Sequence, residues 1–128
     1  MEDRILAVIN GKELLRETLV RACEFAARTS AAVLVLVVLQ EDSDCLLESE
    51  IRSRIEPLID EQRLNGINVE YFIVWGDVRR EVIRFIVEHN VNSVVWPFVE
   101  NEEILSAAVQ VQRVTGCRVE FVRSRMKQ

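Results

Sequence analysis

The sequence predicts an α/β domain of three layers, with five parallel strands alternating with four helices. Apolar runs of strand length alternate with amphipathic stretches along all 128 residues. The run at 32–39 is nearly continuous Val and Leu, a pattern expected of a strand covered on both faces. Glycine and asparagine punctuate the joins, as at Asn10-Gly11 and Asn65-Gly66. Crossovers between parallel strands are right-handed, which leaves few arrangements of these elements.

Taken in order, Arg4–Ile9 is a short apolar strand ending in the Asn10-Gly11 turn. Helix one follows, with Leu15, Leu19, Ala22 and Ala26 on one face of a 3.6-residue period. After the 32–39 strand, an acidic loop at 40–44 leads into helix two, whose stripe is Leu47, Ile51, Ile55 and Leu58. Pro57 lies inside that stripe and predicts a kink or a break. Asn65-Gly66 stops the helix and the third strand spans 68–74. Helix three turns Val82, Ile83, Ile86 and Val87 inward, and strand four spans 93–98. Helix four carries Ile104, Ala107, Ala108 and Val111, and strand five spans 118–123. In that last strand Arg118 and Glu120 alternate with Val119 and Phe121, as expected of an edge. The chain reads as one domain, residues 1–128, without repeat or linker.

Composition narrows the function. A net charge of −5 argues against nucleic acid, which needs a basic face to release counterions. The longest apolar run, 31–39, is too short to span a bilayer, and the Met-Glu-Asp-Arg start lacks a signal-peptide pattern. A cytoplasmic location without membrane insertion is therefore expected. Cys23, Cys45 and Cys117 are far apart and form no CxxC, so no zinc or redox motif is supported. Cys23 and Cys117 read as core, and Cys45, among acidic residues, as exposed.

His89 is the only histidine, which leaves a Ser-His-Asp triad or a multi-histidine metal site little support. In the last turn of helix three it suits the negative end of the helix dipole. Asp42 and Asp44 read as a solvated acidic loop, and Arg79, Arg80, Arg84 and Arg113 as solvent faces of their helices. A receiver domain shares the alternation, but it needs an acidic pair after strand one and a lysine after strand five. Strand one ends in Ile9-Asn10, and no lysine lies near the end of strand five until Lys127, which excludes that reading.

Ligands of such sheets bind at the carboxyl ends of the strands, at the switch in strand order. Trp75, Trp96 and Phe98 stand at or near strand ends. They either wall an apolar pocket there or fill core space.

The stretch 76–96 runs from a glycine turn through an amphipathic helix and the polar turn 90–92 into a buried strand. It resembles the third helix and fourth strand of the universal stress protein family, and 5–12 resembles that family's first strand and turn. The resemblance implies the strand order 3-2-1-4-5, the adenine nucleotide alpha hydrolase-like arrangement. It also implies a homodimer paired through the C-terminal strand, with Val119, Phe121 and Arg123 as the expected interface. ATP-binding members carry G-x2-G-x9-G-[ST] after strand four, whose backbone N–H groups hold phosphate. This chain has Pro97 at the first glycine and no glycine between Gly76 and Gly116. Asn10 replaces the aspartate usual at the end of strand one, and Glu100, Glu102 and Glu103 begin helix four.

The expectation is a non-catalytic, dimeric regulatory or stress-response domain without cofactor, acting through an unidentified protein partner. Two alternatives stand beside it. One is a sensor holding ATP or AMP weakly with Asn10, Gly11, Lys12, Val38, Pro97 and Phe98. The other is a soluble partner of a membrane transporter.

Overall fold

Strand β1 (Arg4–Ile9) and strand β2 (Ala32–Leu39) form the middle of the sheet, and every residue of β2 is buried. The computed structural model describes residues 3–11, 14–40, 45–98 and 102–123. Around the two central strands are α1 (Leu15–Thr29), α2 (Cys45–Leu64), β3 (Val69–Trp75), α3 (Val78–His89), β4 (Ser93–Pro97), α4 (Glu102–Thr115) and β5 (Arg118–Val122). The five strands are parallel, in the order β3-β2-β1-β4-β5. Both the three-layer class and the order agree with the sequence reading.

Pleating divides the core in two. Ile5, Ala7 and Ile9 join Val33, Val35, Val37 and Leu39 beneath α1 and α2. Leu6 and Val8 join Leu34, Leu36 and Val38 beneath α3 and α4. Neighbouring residues on a strand therefore serve opposite layers, and each must be apolar.

Three details differ from the sequence reading. Helix α2 runs unbroken through Pro57, whose ring lies on the solvent side. The carbonyl that loses its partner there is at an exposed position, where water can satisfy it. In α3 the buried stripe is Val82, Phe85 and Ile86, while Val87 is 67% exposed. Phe85 lies 5.1 Å from Phe72 in an edge-to-face pair, and burying that ring outweighs burying a valine. The His89 ring stacks on Phe85, with centroids 4.0 Å apart. The end of α3 is closed instead by Asn90 (φ 54), whose N–H donates to the Ile86 carbonyl. Arg4 Nη1 adds a bond to the His89 carbonyl at 2.7 Å, supplying the cation from β1.

Cys23 and Cys117 are both buried, and burial pushes the Cys23 thiol up to about 12. Phe85→Ala should cost about 3–5 kcal/mol in denaturant unfolding, whereas Val87→Ser should stay within about 0.5 kcal/mol of wild type. Equal losses would contradict this packing of α3.

Candidate functional site

The strand tips after β1, β2 and β3 open into one cleft of about 970 Å3, between the N-termini of α3 and α4. Its position follows from the pleat. Asn10, Val38 and Gln40 extend the rows that face α3 and α4, so they form its floor. Ile104, Ser106 and Ala107 of α4 and Trp75 at the tip of β3 complete the walls.

Gly76 makes the turn into α3 at φ 149, and its N–H donates to the Leu39 carbonyl at 2.8 Å. That backbone angle is what calls for glycine; an added Cβ would come within 3.2 Å of Glu81 Oε2, a side-chain end that can shift. Asp77 caps α3, its Oδ2 accepting from the Arg80 N–H at 3.0 Å. Arg79 reaches across to α4, Nη1 donating to Gln110 Oε1 at 2.6 Å. The charged lining is therefore Arg79 and Arg80 against Asp77, Glu81, Glu102 and Glu103.

Trp75 is held from outside the cleft, its indole Nε1 donating to Glu48 Oε1 of α2 at 3.0 Å. The same Glu48 pairs with Arg52 at 3.1 Å, and Arg52 Nη1 donates to the Tyr71 hydroxyl at 3.1 Å. Tyr71 in turn donates to Glu56 Oε2 at 2.6 Å. This network ties α2 to the outer edge of β3.

No known family profile matches the sequence, and no curated protein matches it. Solved structures do match. The hypothetical protein MJ0577 superposes with a TM-score of 0.79 at 20% identity, over 99% of each chain. Universal stress protein UspA from Lactobacillus plantarum gives 0.71 at 15% identity, over 94% of this chain and 97% of that one. The universal stress protein from Archaeoglobus fulgidus, in complex with dAMP, gives 0.72 at 16% identity, over 95% and 98%.

The fold is that of the universal stress proteins. Within that fold, the residues expected to line a nucleotide site separate. Asn10 and Val38 meet in the cleft, whereas Gly11 lies just beyond its lining and Lys12 falls outside the described residues. Pro97 is buried at the end of β4 and does not line the cleft. Its missing N–H removes no β4–β5 bond. The Phe98 N–H donates to the Val122 carbonyl at 2.7 Å, so the Pro97 nitrogen points the other way, past the end of the β1–β4 pairing at Ala7–Val95. That bond also carries Phe98 away from the cleft, where its ring meets Phe121 edge-to-face at 5.8 Å. Arg123 covers the Phe98 ring at 4.1 Å.

The two tryptophans separate as well. Trp96 is fully buried under α3 and α4, its Nε1 without a partner among the described residues, and fills core space. Trp75 is 36% exposed and lines the cleft. Asp42, Asp44 and Glu100 lie outside the described residues, among which no three His, Cys, Asp or Glu are placed to hold a metal.

The sequence reading missed Gln40, Asp77, Arg79, Arg80 and Ser106 as lining residues. The signal was available for the α3 residues. A helix that begins immediately after a strand tip brings its first turn to the switch point.

Tyr71 is the only tyrosine, so its titration can be read directly. Donation to Glu56 raises its pKa, burial adds to the rise, and Arg52 opposes it. Its share of stability is complete below the ordinary tyrosine value and is lost as pH climbs through the raised one. Phenolate absorbance should therefore develop with a midpoint above about 10, and Glu56→Gln should lower it. An unchanged midpoint in that variant would contradict the bond.

Proposed function

We propose that this chain is a non-catalytic regulatory domain that works as a homodimer through β5 and does not hold ATP at its cleft. One observation carries the reading: both helix N-termini that face the cleft carry the protein's own carboxylates. Asp77 caps α3, and Glu102 and Glu103 occupy the first turn of α4. A helix N-terminus favours an incoming phosphate through free N–H groups and the dipole. Here Asp77 already accepts one of those N–H groups, and the four lining carboxylates outnumber Arg79 and Arg80, so the net charge of the cleft opposes an added anion. One like-charge pair at about 4 Å costs on the order of 1 kcal/mol in water and about 4 kcal/mol at an effective dielectric of 20. Several such pairs offset much of a micromolar affinity, which is worth about 8 kcal/mol.

The homodimer rests on the other side of the molecule. Among the described residues β5 pairs with β4 alone and keeps a free edge, with Phe121 36% exposed, Val119 partly buried and Arg123 exposed. An edge strand without a proline or a bulge invites pairing with a second strand.

A second reading, weak binding of AMP or ATP, is favoured by the meeting of Asn10 and Val38 in the cleft. It also draws on the dAMP complex of the Archaeoglobus fulgidus protein. Lys12 would then supply the positive charge.

Melting of ligand-stripped protein with millimolar Mg-ATP, ADP or AMP separates the readings. A ligand at about 100 times its Kd adds about 2.7 kcal/mol, a shift of several degrees. The proposal expects no shift with ATP, and a clear shift would overturn it. Sedimentation should show a dimer that Phe121→Asp converts to a folded monomer; a monomeric wild type would remove the dimer from the account.

A further inference from the structure

Resting on the homodimer reading, we infer the register in which two copies join. Their β5 strands run antiparallel about a two-fold axis at Val119, so Arg118 of each copy faces Glu120 of the other.

The edge geometry sets the choices. The Phe98 N–H donates to the Val122 carbonyl, so Val122, and with it Glu120 and Arg118, turn their backbone groups toward β4. Val119 and Phe121 therefore direct theirs outward, available to a new strand. A two-fold axis that continues the sheet stands perpendicular to it, so residues on the same face must meet. Arg118, Glu120 and Val122 share the α1 face, where Glu120 lies 3.5 Å from Arg21 and Val122 joins the core below. Val119 and Phe121 share the α4 face.

Three registers keep most of the strand paired, and charge decides among them. An axis at Glu120 sets that carboxylate against itself, and like charges directly opposite are destabilising. An axis at Phe121 sets Glu120 against Val122 twice and pairs no charges. An axis at Val119 makes two Arg118–Glu120 pairs in each dimer. It also sets Val119 against Val119 as a hydrogen-bonded pair and Phe121 against Cys117. Arg118 is exposed, and among the described residues its side chain makes no ion pair or hydrogen bond. Glu120 is held beside Arg21, on the face where the second copy's Arg118 would arrive.

The test is a charge-reversal cycle read by sedimentation equilibrium, with circular dichroism to confirm folding. Arg118→Glu alone and Glu120→Arg alone should each weaken the dimer about tenfold, because each contact occurs twice per dimer. The double variant should return to within about threefold of wild type. A double variant no tighter than the singles, or singles equal to wild type, overturns the register and leaves the homodimer standing. A monomeric wild type overturns both. Oxidative cross-linking gives a second readout independent of charge. In this register the two Val119 Cα atoms are about 5.5 Å apart, within disulfide reach, and the two Phe121 Cα atoms about 14 Å apart. Because position 121 faces the native Cys117 of the other copy in this register, both variants are made in a Cys117→Ser background, where Val119→Cys should cross-link and Phe121→Cys should not; the reverse pattern moves the axis to Phe121.

Discussion

Covering the sheet on both faces is the constraint from which the rest of the molecule follows. β2 is buried at all eight positions and β1 at five of six, so the pleat cannot slip without sending a row of aliphatic side chains into the wrong layer. Parity then assigns every later residue. The row that begins with Leu6 and Val8 ends in Asn10, and the row through Leu34, Leu36 and Val38 ends in Gln40. Both reach the α3–α4 side because the residues before them do. The cleft is thus a consequence of how the core is divided, and its floor is fixed before any ligand is considered.

The same geometry brings two helix N-termini to that cleft, and here the chain departs from a phosphate site in chemistry while keeping its shape. Parallel crossovers deliver α3 and α4 with their positive ends toward the strand tips. Asp77, Glu102 and Glu103 meet those ends with the protein's own charge. Pro97 and Phe98 complete the change, since the segment leaving β4 continues the ladder to Val122 and packs an aromatic ring toward Phe121. The sequence after β4 carries none of the glycines of a donor loop, and Phe121 on β5 is partly exposed. On the proposed reading both features suit contacts between proteins more than contacts with a nucleotide.

Much of this was legible in the sequence. The fold class, the element order and the apolar stripes of α1 and α4 followed from period and punctuation, because burial on one face writes itself into spacing. Where reading failed, the deciding quantity was tertiary. Val87 and Phe85 both suit an inward position on α3, and only the neighbouring Phe72 ring settles which is buried. Pro57 is a helix breaker by local rule, yet its solvent-facing position makes the lost bond tolerable. From its place after a strand end Phe98 suits either a cleft wall or filled space, and one backbone hydrogen bond directs it to the β5 edge instead. Arg79 and Arg80 read as ordinary surface because their separation from the β1 and β2 tips is long in sequence and short in space. Trp75 and Trp96 have the same residue type and similar positions, and only the core decides that one fills and the other lines.

The claim that carboxylates, more than lost glycines, close this cleft to triphosphate is tested most directly by titration calorimetry with Mg-ATP. The comparison is wild type against the Glu102→Gln, Glu103→Gln double variant, both confirmed as folded. Wild type should show no measurable binding, and the neutralised variant should gain measurable affinity. Micromolar binding to wild type, left unchanged by neutralisation, would contradict that claim.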